Sequence, residues 1–373
     1  MSVSIHAFNA SEDSAALGEF MGLPARVYVD DPNWIPTFPE VTAARFLGEP
    51  IAPGHCWRLF LARREGEAVA CCAAVINPDL QSTAGRPVGT IGHFDALDDS
   101  EAIGGVLEAA RAWLAEQGRG EEVWGPFDFS IYHPYRFMVR GFERDPFLGE
   151  PYNPPYYPER WRESGFVDHA QWFSWDLVEP HLKGMHKMSF ALRSDALSSG
   201  GYTYRPFDVG AGFERDLRCV YDILLPSFAP NVAATSLSFE AFVEAYGSMR
   251  AFVNPALMPL VQDPSGRVVG LGFLFPDPSA AFREIAGDVS RIPEIPALLA
   301  KSPPTRMVFH TMAVLKEDRR KGLVEAYMNQ SLENAFEAGI TSGVGALAKE
   351  GPTVYDKTGP SSRQYTLFRY AAE

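Results

Sequence analysis

"VLKEDRRKG", residues 314–322, carries an apolar, strand-like stretch (307–314) directly into a helix-like one (323–338), with three consecutive cations and a glycine at the junction. The first turn of a helix leaves its backbone N–H groups without internal partners, and the aligned peptide dipoles put partial positive charge there. A strand that delivers a glycine to such a start builds an anion cradle. Gly322 lets the backbone approach without a Cβ, and Arg319, Arg320 and Lys321 add charge around the bound group. The anion this junction suits is a compact one, a pyrophosphate.

The flanking segments repeat a pattern. Strand signals at 57–63 and 68–76 are joined by the polar turn REGE and read as a hairpin, and 257–262 and 268–275, joined by DPSG, repeat it in the second half. A further strand follows each hairpin (89–97 and 307–314), then an amphipathic helix. In the first half Ile103, Val106, Leu107, Ala110, Trp113 and Leu114 mark one face of that helix, which ends at Gly118; in the second the helix covers 323–338 and closes at Gly339. Then come another strand (122–129 and 340–347), a tyrosine-bearing segment and a last aromatic strand (171–177 and 365–370). The same order met twice predicts an α/β protein of two tandem units, 1–178 and 202–373, each a mixed, mostly antiparallel sheet flanked by helices. Residues 179–201, with Pro, Gly and Ser and little strand pattern, are expected to be a linker. The stretch 130–158 holds six prolines and many tyrosines. It reads either as an ordered loop over a pocket or as a packing arm at a sheet edge.

Composition narrows the function. At 373 residues, 46% hydrophobic and 13% aromatic, the chain has material for two cores. No run approaches the roughly 18 apolar residues of a membrane span, and the opening MSVSIHAFNASED lacks signal-peptide order, so a cytoplasmic protein with no membrane contact is expected. A net charge of -14 repels polyanions, and the small basic cluster at 319–321 does not predict extended nucleic-acid binding. Cys56, Cys71, Cys72 and Cys219 form no C-x-x-C pair, so no metal site is expected; the adjacent Cys71 and Cys72 point to opposite faces of a strand, and all four read as buried thiols.

The junction resembles the signature of the GNAT superfamily of acyl-CoA-dependent N-acyltransferases: a strand ending in Val, then Arg or Gln, two residues, Gly, one residue, and Gly or Ala. Val314, Arg319 and Gly322 fall at matching positions, and Val324 stands where the small residue is usual. VYDKTG (354–359) resembles the family's tyrosine shortly before a glycine, YYPERWRESGF (156–166) its tyrosine–helix–Gly-Phe ending, and VYVDDPNWIP (27–36) and PYNPPYYPERW (151–161) look like segments of bacterial tandem-GNAT proteins. The resemblance implies acetyl-CoA or another acyl-CoA as co-substrate, held at Val314, Leu315, Arg319, Arg320, Lys321, Gly322 and Leu323, and a small amine as acceptor. At the equivalent place in the first half, FDALDDSEAIGG (94–105), Asp95, Asp98, Asp99 and Glu101 favour the helix dipole and repel a pyrophosphate, so the first unit is expected to lack the cofactor.

Acyl transfer from a thioester to an amine needs a base for the ammonium, a donor to the oxyanion and a proton for the thiolate. His310, four residues before Val314 on one strand, is the candidate base, although an apolar strand also holds histidines as packed residues. Tyr355 is the proton donor that the resemblance implies, or else a packed aromatic. A backbone N–H near Val314 or Leu315 would serve the oxyanion. Asp128, His133, Tyr135 and Arg136 in the aromatic loop are candidates for lining the acceptor pocket. Lys349 and Glu350 read as a solvated pair, Asn231 as a cap or a contact to the acceptor, and His181 and His186 as surface residues. Two other functions compete: an aminoacyl-tRNA-dependent transferase built from two such units, which the acidic charge opposes, and a non-catalytic binding module, which Val324 and the acidic first half favour. The sequence does not specify the amine, the acyl chain or the oligomeric state.

Overall fold

The computed structural model describes residues 2–50, 53–251 and 253–372. In chain order the elements are β1 Val3–Phe8, α1 Ser14–Val27, α2 Pro39–Leu47, β2 Cys56–Arg64, β3 Glu67–Ile76, β4 Gly89–Ala96, α3 Ser100–Glu116, β5 Glu122–Gly125, β6 Phe137–Arg140, α4 Tyr157–Glu163, β7 Val167–Val178 and α5 Glu179–Gly200. The second half continues with β8 Thr203–Pro206, α6 Phe213–Phe228, α7 Phe239–Tyr246, β9 Pro259–Gln262, β10 Val268–Pro276, α8 Ser279–Ile285, α9 Ile295–Lys301, β11 Arg306–Val314, α10 Leu323–Glu337, β12 Ser342–Lys349 and β13 Arg363–Ala371. The repeated order read from the sequence, an antiparallel hairpin, a third strand, a helix and then a parallel strand, is present in each half, with α8 and α9 inserted before the third strand of the second; a leading strand and two helices, which the sequence did not reveal, precede each hairpin.

All thirteen strands share one sheet, ordered β1-β2-β3-β4-β5-β13-β7-β12-β11-β10-β9-β8, with β6 pairing β13. This order contains an exchange. The last strand of the chain, β13, pairs with β5 of the first half, and the last strand of the first half, β7, pairs with β12 of the second. The two exchanged strands also pair with each other, from Arg363 opposite Ser174 to Arg369 opposite Val167, which makes the sheet continuous. Only two neighbouring pairs on the path are parallel, β4–β5 and β11–β12, and each precedes a divergence of its strands.

Residues 179–200 are helical, where a linker is the expectation. Pro180 lies in the first turn of α5, where a missing N–H costs nothing. The helix packs on α10, with Asn329 Nδ2 donating to His186 O at 3.0 Å and the His186 ring 5.8 Å from Phe336. His186 is therefore an interhelix residue and not a surface one. Of the cysteines, Cys71 and Cys72 are buried in separate clusters on opposite faces of β3, as alternation requires, but Cys56 is exposed and Cys219 half-buried. The short strands β1 and β8 at the two edges and β6 inside the aromatic loop were not visible as strand patterns. No helix among the described residues is long and apolar enough to cross a membrane.

Candidate functional site

In the second half, β11 and β12 run parallel from Arg306 opposite Ser342 to Phe309 opposite Gly345, and there the register ends. Beyond it, residues 309–312 and 346–349 line a cavity of about 380 Å³. Apolar side chains of α6 and α7 (Leu217, Val220, Leu224, Phe228, Phe242 and Tyr246) form one wall, and the aromatic loop brings Tyr132, Tyr135 and Arg136 from the first half. The loop thus covers a pocket, one of its two expected roles.

His310 and Tyr355 both line this cavity. His310 is the extra residue of a bulge: Thr311 pairs with Phe273 and Phe309 with Leu274, so His310 has no partner on β10. A bulge breaks the alternation of a strand and re-aims the side chain it carries. The His310 Nδ1 lies 2.8 Å from Thr311 Oγ1, and the ring packs against Phe273 and Phe275. Burial, with a smaller contribution from the Arg136 charge, pushes the imidazole down to about 4, so it is neutral near pH 7. Tyr355 stands on a 3-10 turn (Val354–Thr358) that a Thr353–Asp356 capping box opens. Its ring lies against Gly345, where a Cβ would meet the ring at 2.6 Å, and 5.6 Å from Trp175. The hydroxyl has no hydrogen-bond partner among the described residues, and burial pushes it above the usual phenol range.

The junction is built as a turn of 3-10 helix (Lys316–Asp318) followed by two left-handed residues, Arg320 (φ 64°) and Gly322 (φ 72°). Gly322 is the N-cap of α10, and no side chain caps that helix start. The first-turn amides are therefore without an internal acceptor, as the sequence predicts. Two of the three cations do different work from that expected. Lys321 Nζ is held 2.7 Å from the buried Asp318 carboxylate and 2.5 Å from the Tyr202 hydroxyl, and Arg319 Nε donates to Val314 O at 3.0 Å. They brace the loop, while Arg320 is exposed and without a partner among the described residues. Val314 and Leu323 are buried, Leu315 is partly so, and Val324 packs against the same core cluster as they do.

The first half has the same geometry with different contents. Its parallel pair ends at Thr90 opposite Trp124, and the register of β4 against β3 shifts between Gly92 and Asp95. His93, in that shift, is the counterpart of His310; each histidine stands three residues before an alanine near the strand's end, a likeness the sequence offered and composition could not reveal. Here the divergence is bridged. Phe127 N–H donates to Ile91 O at 2.9 Å, and Asp128 accepts the His93 N–H at 2.7 Å, its other oxygen 3.6 Å from His93 Nδ1. The start of α3 is capped by Asp99, which accepts from Ala102 N and is gripped by Arg64 at 2.6 Å. Asp128 and His133 line this half's cavity, of about 540 Å³, and Tyr135 and Arg136 line both cavities. The four loop candidates are thus divided: two stay with the first half and two reach the second. Burial pushes His133 down to about 3 and raises Asp128, and His133 Nδ1 lies 2.8 Å from Ser130 Oγ. Lys349 is exposed, as its solvated reading has it, and also lines the second cavity; Asn231 lines that cavity too, while the cap of α7 is Ser238. No group of three or more His, Cys, Asp or Glu among the described residues is placed to hold a metal.

No protein-family model matches the chain. Among solved structures, the tandem GNAT protein from the clavulanic acid biosynthesis pathway, determined without AcCoA, superposes with a TM-score of 0.54 over 100% of this chain and 99% of its own, at 11% identity. The fold is therefore the tandem GNAT fold, one on which acyltransferases are built. The chain is also 27% identical over 280 residues to the bacterial ceramide synthase of Caulobacter vibrioides (strain NA1000 / CB15N), spanning 73% of this chain and 70% of that protein. A shorter stretch of 160 residues, 43% of the chain, is 29% identical to Protein YghO of Escherichia coli (strain K12) and spans 41% of the length of that protein.

Proposed function

We propose that this protein is an N-acyltransferase that moves an acyl group from an acyl-CoA thioester to an amine in the cavity between β11 and β12. The observation that carries this reading is the meeting in one cavity of a neutral histidine at a bulge and an unpartnered tyrosine hydroxyl, on a strand, β11, whose end leads into a helix start with uncapped amides. The pyrophosphate of the donor lies at the amides of α10, with Arg320 as the free cation beside it, and the thioester arm passes between the diverging strands. His310 takes one proton from the ammonium, the neutral amine nitrogen then bonds to the thioester carbonyl carbon, and the C–S bond breaks as Tyr355 gives its proton to the departing thiolate, the second nitrogen proton restoring the Tyr355 phenol. The raised phenol remains protonated until that step. The capped start of α3 and the bridged strands of the first half leave the donor one place to bind.

The similarity to a protein named for ceramide synthesis fits an amine acceptor, since a ceramide is an amide, and the apolar walls of the cavity fit an acceptor with an apolar body. Incubation with acyl-CoA esters of increasing chain length and a panel of amines, read by thiol release and by mass of the amide, tests the reading. Transfer with at least one pair supports it. No transfer with any pair, together with no rise in melting temperature with any ester at saturating concentration, removes it.

A further inference from the structure

Arg136 stands in the wall shared by the two cavities. Its guanidinium sits in the corner of two perpendicular rings, with Cζ 4.0 Å from the Tyr135 centroid and 4.5 Å from that of Trp172. Nε and Nη1 are buried, and among the described residues neither finds a hydrogen-bond partner and no carboxylate pairs with the group. A charge withdrawn from water and left without a counter-ion is costly, and attraction to aromatic faces offsets only part of that cost. The backbone bears a second cost at the same residue: φ is 132°, a region that residues with a Cβ rarely adopt. Two unfavourable features coincide on one side chain facing a cavity, which is the pattern of a site preorganised for something absent.

The cavity lining says what that is. None of the residues lining the second-half cavity is Asp or Glu, in a chain of net charge -14, and a second cation, Lys349, lines it as well. We propose that Arg136 is the anion-recognition residue of this site: the acceptor amine carries a carboxylate or a phosphate group that pairs with the guanidinium while its apolar body fills the cavity. A planar fork held in the corner of two rings presents its donors in a fixed direction, which suits a carboxylate or phosphate edge. The proposal rests on the transferase reading for the role of the ligand, but not for the existence of the anion site.

Direct binding to the whole protein tests it, with octanoate, octyl phosphate and octanol as probes and calorimetry as readout. At least one anion is expected to bind about tenfold or more tightly than octanol, and the comparison of the two anions tells carboxylate from phosphate. Arg136→Met is expected to abolish that preference, and Arg136→Lys, which keeps the charge without the stacked fork, to keep only part of it. In the wild type, anion binding is also expected to raise the His310 pKa from about 4, since the Arg136 charge that helps to depress it is neutralised, and histidine NMR reads this. Equal binding of octanol, absence of binding by both anions, or an undiminished preference in Arg136→Met overturns the proposal. If Arg136→Met does not fold, the wild-type comparison decides alone. Anion preference with no acyl transfer to any amine and no rise in melting temperature with any ester keeps the site and removes the enzyme. Transfer to uncharged amines as efficient as to amino carboxylates and amino phosphates keeps the enzyme and removes the anion site.

Discussion

His310 is placed to act as a base by the same burial that makes it weak. A histidine at about 4 is unprotonated throughout the ordinary working range, so no part of the protein is lost to the imidazolium form, at the expense of proton affinity. His310→Gln is expected to lower kcat by about 10² to 10⁴ while leaving acyl-CoA affinity unchanged, measured by steady-state kinetics and by calorimetry with the ester alone. The same shift has a stability consequence. Between the ordinary histidine value of about 6.5 and the folded value, the unfolded chain binds the proton and the folded chain does not, so stability falls as pH falls through that window. Wild type should therefore lose stability relative to His310→Gln by up to about 1.4 kcal/mol per pH unit from pH 6.5 toward 4, read from urea unfolding. Asp95 and Glu150, which burial raises to about 7, act in the opposite sense but are common to both proteins and cancel in the difference. His310, Tyr355 and Arg136 were legible as residue types in a plausible order. His93 was not, because its only mark is a position equivalent to that of His310, and equivalence shows once the two halves are aligned on their bulges.

The junction of β11 with α10 was the most legible element, because glycine and helix start are both local properties. Its detail was not: that Lys321 turns to Asp318 and Arg319 to Val314 depends on where Tyr202 and the strand's end lie in space. Gly322 at φ 72° is the position to test. Gly322→Val forces a β-branched residue into the left-handed region at a cost of about 1–2 kcal/mol and puts side-chain atoms beside the amides. The expected outcome is a lower melting temperature together with acyl-CoA binding weakened by about tenfold or more, whereas a loss of stability with unchanged affinity would move the cradle elsewhere. The helix in the expected linker shows the complementary limit. Pro, Gly and Ser in 179–200 look like breakers in isolation, but Pro180 stands where a helix begins, and the packing of α5 on α10 outweighs weak local propensity.

The molecule as a whole departs furthest from what its sequence suggests, because alternation tells which residues of a strand face the core and not which strand it pairs with. Two units were expected, with no partner read for the last strand of either; in the sheet β7 and β13 have traded places. Arg363 of β13 is buried at this crossing, its Nε 2.9 Å from Glu150 and its Nη1 paired with Asp176 of β7, while Tyr365 donates to Glu150. Arg363→Met leaves Glu150 without its cation in the interior and should destabilise the protein by about 3–5 kcal/mol, measured by urea denaturation. The exchange also predicts one cooperative transition in scanning calorimetry, with calorimetric and van't Hoff enthalpies equal; two resolved transitions would mean that the halves melt independently. The traded strand also sets an order of events during synthesis. The four residues of β13 that lie against β5, Phe368 to Ala371, come near the end of the sequence yet occupy the middle of the sheet. A ribosome must therefore have read past Ala371 before the half it made first can close, and until then β5 waits with an open edge in a nascent chain that has already emerged.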